Sequence, residues 1–369
     1  GDGRYETSRI FAEGLLFATG VQPWQDGVLV TVAGEVVFLR DTDGDGRADE
    51  RKRWYAGFKQ ENPQLRANHP TFAMNNRVYV ANGLRGGVVT AVRPVDGSAA
   101  PKPVSVSGRD FRFDPHSGVY EAVNGNGQFG MTFDDFGNRF VCSNRNPCRH
   151  VVLESRHLNR YPRLAVGEVM HDVVTPGGVS HIFPVSRTWT TSTLHEGQFT
   201  AACGVTIYRG GLLGEQVQGN AFICDPTGNL VHREVLSPLG ATLAGKPGRP
   251  KVEFLASRDQ WFRPVNMEVG PDGALYVVDM YRAVVEHPQW VPAELKERPD
   301  NYSGNDRGRI YRIVPADHAT ADRNAAAPGL GRVAGAKLVT ELTSRNGWRR
   351  DTAARLIYQK QDRSVVKDL

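Results

Sequence analysis

Nowhere in this sequence do apolar residues run for the roughly 18 positions that a bilayer-crossing helix requires, so no membrane span is expected within it. Cysteine is scarce: four residues, at 142, 148, 203 and 224. None forms C-x-x-C or C-x-x-C-H, which excludes a zinc ribbon and a c-type haem attached to this chain. Two readings of the cysteines stay open: two disulfides, as in an exported protein, or four buried thiols. Cys203 and Cys224 fall on consecutive strand candidates and are the expected bridge, while Cys142 and Cys148 flank a tight turn. No charge sign dominates, with 45 basic against 40 acidic residues and a formal charge of +5. No basic run is interleaved with aromatics, so a nucleic-acid partner is disfavoured. A nucleophile elbow, a phosphate-binding loop and a dinucleotide fingerprint are all missing. So is helical periodicity before residue 335. The chain does not open with Met, so any export signal is expected outside it.

What is abundant is turn chemistry. Forty glycines and 22 prolines are scattered without period, as in a chain of short strands joined by tight turns. Gly1-Asp2-Gly3-Arg4-Tyr5-Glu6 returns as Gly44-Asp45-Gly46-Arg47-Ala48-Asp49, an offset of 43 residues. A turn followed by an aromatic and β-branched strand recurs at Asp26–Val30, Asn76–Val80, Gly137–Val141, Gly228–Val231 and Gly273–Val277. Each follows a second short apolar segment, which makes a hairpin. The spacings run from about 45 to about 90 residues, and propeller blades occupy roughly 40–50. A β-sandwich would repeat its turn signals every 8–12 residues or so with no longer period. The expected fold is therefore all-β, a six-bladed type of β-propeller over residues 1–315 whose first blade is incomplete. The one long gap, between Val141 and Phe222, accommodates an insertion near 160–200.

Residues 316–335, rich in Ala, Gly and Pro, read as a linker. Residues 336–369 then carry two short amphipathic segments broken at Asn346-Gly347. Two such helices cannot bury their apolar faces alone, and they read as the start of a HEAT-like helical repeat domain.

Asp41-Thr42-Asp43-Gly44-Asp45-Gly46-Arg47-Ala48-Asp49 is the sharpest motif. Carboxylates at alternate positions ahead of a glycine wrap oxygens around a hard cation. Position twelve of an EF-hand is Lys52 here, so the expected ligands of a shorter calcium loop are Asp41, Asp43, Asp45, the carbonyl of Arg47, and Asp49. In a propeller, residues just before each first strand and just after each second strand gather on one funnel-shaped face. His69, Gln128 and Arg263 form the first class, and Asn82, Arg85, Asn144, Arg145, Asp279 and Arg282 the second. Arginines clamp carboxylates, and a neutral imidazole or a carboxylate takes a proton from a hydroxyl. His69, His195 and Asp279 are thus the catalytic candidates. Arg85, Gln128, Asn144, Arg145, Arg263 and Arg282 are the candidates for holding an anionic cofactor. Single residues of such a set also serve as interblade ion pairs. His287 reads as a structural loop histidine, and Cys203 as structural rather than nucleophilic.

Four strings carry a family resemblance: Ser107–Pro115, Gly127–Asp135, Trp261–Val265 and Gly270–Arg282. They resemble the N-terminal propeller of the membrane-bound dehydrogenase family of Planctomycetes and Verrucomicrobia, over nearly the whole chain. That family is similar in fold to soluble glucose and sorbosone dehydrogenases, which use pyrroloquinoline quinone and calcium. The resemblance implies oxidation of a sugar or alcohol in the periplasm or outside the cell, with electrons passed to a c-type cytochrome fused downstream or separate. The alternative is a non-catalytic, calcium-dependent propeller that binds polysaccharide or protein.

Overall fold

The computed structural model describes residues 7–97, 100–186, 197–286, 291, 293–297, 299–317 and 329–369. Alternating short strands and polar turns fold as antiparallel meanders. Strands β1 (Gly20–Trp24), β2 (Gly27–Val32), β3 (Glu35–Arg40) and β4 (Glu50–Phe58) form the first sheet. Strands β5 (Asn68–Phe72) and β6 (Val78–Ala81) open the second. The chain then leaves it to add β7 (Gly87–Ala91) and β8 (Val104–Ser105) to the outer edge of β4. It returns as β9 (Asp110–Phe113) and β10 (Tyr120–Val123) to complete the second sheet. The third contains β11 (Met131–Phe133), β12 (Arg139–Ser143), β13 (Asn146–Val151) and β14 (Met170–Asp172), with a single helical turn, α1 (Ser155–Leu158), before its last strand. The fourth contains β15 (Cys203–Ile207), β16 (Ala221–Asp225), β17 (Leu230–Leu239), β18 (Thr242–Pro247) and β19 (Leu255–Ala256). The fifth contains β20 (Pro264–Val269), β21 (Leu275–Asp279) and β22 (Arg309–Ile313), with α2 (Ala293–Lys296) in the connection.

The fold is an all-β propeller with five blades among the described residues. Its inner strands pack in the series β1, β5, β11, β15, β20. Two expectations are corrected. The six-blade count took Gly1–Glu6, which lie outside the described residues, as the tail of an earlier blade. The segment that follows adds no strand; it lays Phe11, Ala12 and Leu15 over Val30, Val32, Val37 and Leu39 on the open face of the first sheet. The turn before Gly228–Val231 joins the second and third strands of its sheet rather than the first and second. Asp225 sets that turn by accepting from Gly228 N at 2.8 Å.

All four cysteines are buried free thiols. Cys203 and Cys224 do face each other in register across β15 and β16. Their Sγ atoms remain in the apolar core between the fourth and fifth sheets, without the expected bridge. Burial pushes the Cys142 thiol up to about 12, which keeps it protonated and inert.

At the C-terminus, α3 (Gly335–Glu341) and α4 (Gly347–Lys360) make an antiparallel-type helical hairpin. Asn346 caps α4 by accepting from Trp348 N, which explains the break at Asn346-Gly347. Leu338 and Ala353 form its small core with Leu330. Part of the helices' apolar surface is buried on the propeller rather than on a neighbouring repeat. By strand direction, the turns after Trp24, Phe72, Phe133, Ile207 and Val269 share the end opposite the funnel face. The hairpin touches every blade there. Arg355 donates to Pro23 O, Tyr358 packs edge-on to His116, and Arg350 pairs with Asp135. Gly347 N donates to Arg209 O, and Asn346 Nδ2 to Gly270 O and Pro271 O.

Arg209 is the centre of this contact. Its guanidinium, 11% exposed, reaches Asp135 at 2.6 Å and Asp351 on α4 at 2.7 and 3.0 Å. A cavity of about 420 Å³ lies beside it, between the propeller and the hairpin. Inner strands β20 and β1 do not pack on each other as the other neighbours do, so the hairpin ties the two ends of the series together. Replacing Arg209 by Ala should destabilise the chain by about 3 kcal/mol, the low end for breaking a buried pair because both aspartates are partly exposed. In hydrogen exchange the α4 amides should open before those of the inner strands; uniform opening would contradict the clamp.

Candidate functional site

The ladder registers Gly20 with Thr31, Asn68 with Ala81, and Pro264 with Asp279. The starts of the inner strands and the ends of their neighbours therefore meet at one end of the propeller, as the sequence pattern predicts. What the side chains do there divides the candidates sharply.

Arg263 is 5% exposed and its guanidinium is fully committed to backbone. Nε donates to Arg282 O at 3.1 Å, Nη1 to Pro226 O at 2.7 Å and Nη2 to Ala283 O at 2.7 Å. Burial brings it down to about 10, still charged at neutral pH. Asp279, 1% exposed, accepts from Arg263 N at 2.7 Å and Tyr281 N at 2.8 Å. Arg282 donates to Met280 O, Arg307 O and Asn305 O, fastening the connection between β21 and β22. Gln128, also buried, accepts from Asn144 N at 3.0 Å. Asn82 is buried and donates to Asn126 Oδ1 at 2.9 Å. These residues hold loops in place through bonds to backbone, an arrangement different from the cofactor-binding role expected of Arg263, Arg282 and Gln128 and the catalytic one expected of Asp279, whose buried Oδ2 has no hydrogen-bond partner among the described residues. A buried guanidinium must find acceptors, and in these loops the nearest are carbonyls.

Arg85, Asn144 and Arg145 behave differently. All three are exposed on the same end. Among the described residues Arg85 and Arg145 have no ion-pair partner. Arg145 lies against Gly177, where a Cβ would meet its Nε at 3.2 Å. These two cations, with exposed Lys59 and Arg109 at the same end, have no ion-pair partner among the described residues and are available to an anionic ligand.

His69 begins β5 with a positive φ of 55°. Its ring points towards the neighbouring inner strands. A Cβ on Gly130 would sit 3.6 Å from His69 Nδ1 and 3.6 Å from Gly204 Cα, so the glycine leaves the imidazole its space. Burial lowers its pKa to about 4, against the opposing pull of a backbone hydrogen bond at Met131. The imidazole is neutral through the physiological range. His195 and His287 lie outside the described residues.

The acidic loop sits between β3 and β4, which places it on the hairpin end of the propeller. Carboxylate oxygens of Asp41, Asp43 and Asp45 converge within 4.8 Å of one another. Asp41 accepts from Gly44 N at 2.7 Å and Gly46 N at 2.8 Å, and the Gly46 amide holds its carboxyl below the usual range. Asp49 is not part of this convergence: it accepts from the Thr42 hydroxyl and from Thr42 N at 3.0 Å. Arg47 N donates to Asp45 Oδ1 at 2.7 Å, and Arg9 covers the Asp45 carbonyl.

The domain of unknown function DUF7133 matches residues 1–317. The chain belongs to the DUF7133 family. No curated protein matches it. Among solved structures, this DUF7133 chain is similar to a luciferin-regenerating enzyme at 12% identity and TM-score 0.41, over 81% of this chain and 78% of that one. It is similar to the PQQ-bound aldose sugar dehydrogenase of Streptomyces coelicolor at 14% identity and TM-score 0.35, over 83% and 96%. The apo soluble aldose sugar dehydrogenase of Escherichia coli follows at 13% and 0.32, over 74% and 96%.

One buried polar cluster escaped the sequence reading because its members are spread over 253 − 232 = 21 positions. His232 Nδ1 meets Glu253 Oε2 at 2.7 Å, and Nε2 meets Glu234 Oε1 at 2.9 Å, all three residues being buried. Burial alone would lower the imidazole, but the two carboxylates raise it to about 9. The cation holds β17 to the segment at Glu253 and is structural.

Two measurements follow from this division. Arg263→Ala in the DUF7133 chain should cost about 3 kcal/mol of stability, because the three carbonyls lose their donors; an unchanged melting temperature would return Arg263 to the ligand site. The His232 proton is bound more tightly in the folded state than at the ordinary histidine value. Its contribution is therefore complete below about pH 6.5 and is lost as pH rises through about 9. Asp225, raised to about 6 by burial, has the same sign but acts between its ordinary carboxylate range and about pH 6, below this window. Thermal midpoints of the wild type should fall between pH 6 and 10, and His232→Gln should flatten the fall; a midpoint that rises across this range would refute the assignment.

Proposed function

We propose that this chain is the propeller of a quinone-dependent dehydrogenase that oxidises a sugar or alcohol. The observation that carries the reading is His69, a half-buried imidazole held neutral at the funnel end of an inner strand, with Gly130 leaving its ring space. A neutral imidazole accepts the hydroxyl proton as an alcohol becomes a carbonyl. Arg85 and Arg145, with Asn144 beside them, fit the carboxylates of an anionic quinone such as pyrroloquinoline quinone, since their charges are unpaired among the described residues. When bound, that group would supply the hydride-accepting chemistry. Arg263, Asp279 and Arg282 fix the loops around it. His195 remains a second candidate base. Membership of the membrane-bound dehydrogenase family, export to the periplasm or cell exterior, and a c-type cytochrome as electron acceptor belong to the same proposal.

Calcium enters as a structural ion. Asp41, Asp43 and Asp45 would ligate it on the hairpin end, away from the funnel, so it would brace the turn between β3 and β4 and make no contact with a funnel ligand. A chelator should then lower the melting temperature, and Asp43→Ala should remove that sensitivity. Equal melting temperatures with and without chelator would dismiss the ion.

The commitment of Arg263, Asp279 and Gln128 to backbone favours one rival, a non-catalytic, calcium-dependent propeller that binds polysaccharide or protein. Reduction of an artificial electron acceptor by cofactor-loaded protein, across a panel of sugars and alcohols, separates the two. The dehydrogenase reading expects turnover that falls at least about a hundredfold in His69→Ala, the scale of a lost general base. No reduction with any substrate would discard it.

A further inference from the structure

The connection between β21 and β22 contains a backbone strain that the catalytic reading leaves unexplained. Tyr281 has a φ of +51°, a left-handed conformation that bulky residues rarely adopt. Arg282 holds it there by donating to carbonyls on both sides of the connection. The strain carries the Tyr281 ring next to Trp261, with centroids 5.6 Å apart at 64°. Arg309 covers the same phenol at 3.3 Å from its centroid, and its buried Nη1 has no hydrogen-bond partner among the described residues. Gly304 closes the group: a Cβ there would stand 2.2 Å from Tyr281 O. Tyr302, 83% exposed, lies on the same connection at this end, where the adjacent Ser303 O accepts from Ala283 N at 3.2 Å. Trp261 precedes β20 and Tyr281 follows β21, so both belong to the funnel end.

Aromatic rings half-sunk in a rigid rim, with exposed Asp259 and Asn305 beside them, offer an apolar surface bordered by hydrogen-bonding groups. A saccharide ring has the matching character, one face of C–H groups and a periphery of hydroxyls. We propose that Trp261, Tyr281 and Tyr302 form a carbohydrate subsite on the rim of the fifth blade, which holds a sugar unit by stacking while the next unit reaches the funnel. This inference rests on the sugar reading of the proposed function and specifies oligosaccharides as its ligands.

The test is isothermal titration of the intact chain with cellohexaose, maltohexaose and chitohexaose. At least one should bind, and Trp261→Ala should weaken it about tenfold or more, with Trp261→Phe recovering much of the loss. Tyr302→Ala, at a position too exposed to endanger folding, should weaken it about threefold or more. Phe136→Ala, which removes an exposed aromatic from the opposite end, should leave the affinity unchanged. Binding by none of the hexasaccharides, or equal affinity in the wild type and the Tyr302 and Trp261 variants, overturns the subsite. Those outcomes are independent of acceptor reduction: a silent oxidation assay beside Trp261-dependent binding removes the dehydrogenase and keeps the subsite. Turnover of monosaccharides without hexasaccharide binding does the reverse.

Discussion

A guanidinium group removed from water must be surrounded by acceptors, and in this propeller that demand decides which polar residues build and which remain available. Arg263 satisfies it with three carbonyls, and Arg209 with two carboxylates from different domains of the fold. Arg139, 1% exposed, meets it with the fully buried Asp110 at 2.8 Å and with Asn124 O, its Nε standing 3.6 Å from the Glu154 carboxylate. Each such group is destabilising if its partners are lost and organises loops far apart in sequence while they are kept. Once these are counted, the cations without an ion pair among the described residues of the funnel end include Arg85 and Arg145. The functional surface is defined by what the folding requirement leaves over.

The two ends of the propeller consequently have different work. The hairpin end is closed by α3 and α4, whose apolar sides and Arg209-centred ion pairs span every blade. It also carries the acidic loop. The funnel end holds His69, the unpaired cations and the aromatic rim of the fifth blade. A cation at Asp41, Asp43 and Asp45 would act on stability alone, because a blade's length of β-sheet separates it from the funnel. The sequence motif by itself does not make that distinction; the direction of β3 does.

Much of the architecture was legible in local signals. Turn residues ahead of alternating apolar residues located β2, β6, β12 and β21, and the Asn346-Gly347 break located the start of α4, because turns and caps are set by neighbours in sequence. Long-range pairing was not legible. The return of β7 and β8 to the edge of β4, and the place of Gly228–Val231 between a second and third strand, depend on partners that composition does not reveal. The bonding of the arginines was not legible for the same reason. Nothing local to Arg263 shows that Pro226 O, 37 positions away, will be its acceptor. Cys203 and Cys224 were correctly paired in register, yet register brings thiols together without oxidising them. Docking of the helical hairpin was missed because its apolar stripe suits either a repeat neighbour or a propeller face.

The central claim is the separation of a binding end from a structural end. A crystal structure of the protein soaked with pyrroloquinoline quinone and calcium tests it most directly. The account predicts cofactor density at the funnel end, in contact with Arg85 and Arg145 and beside His69, with Arg263 still bonded to its three carbonyls. It predicts calcium density only at the Asp41–Asp45 turn on the opposite end. Cofactor in the cavity beside Arg209, or an Arg263 that leaves its carbonyls to hold the cofactor, would contradict the account.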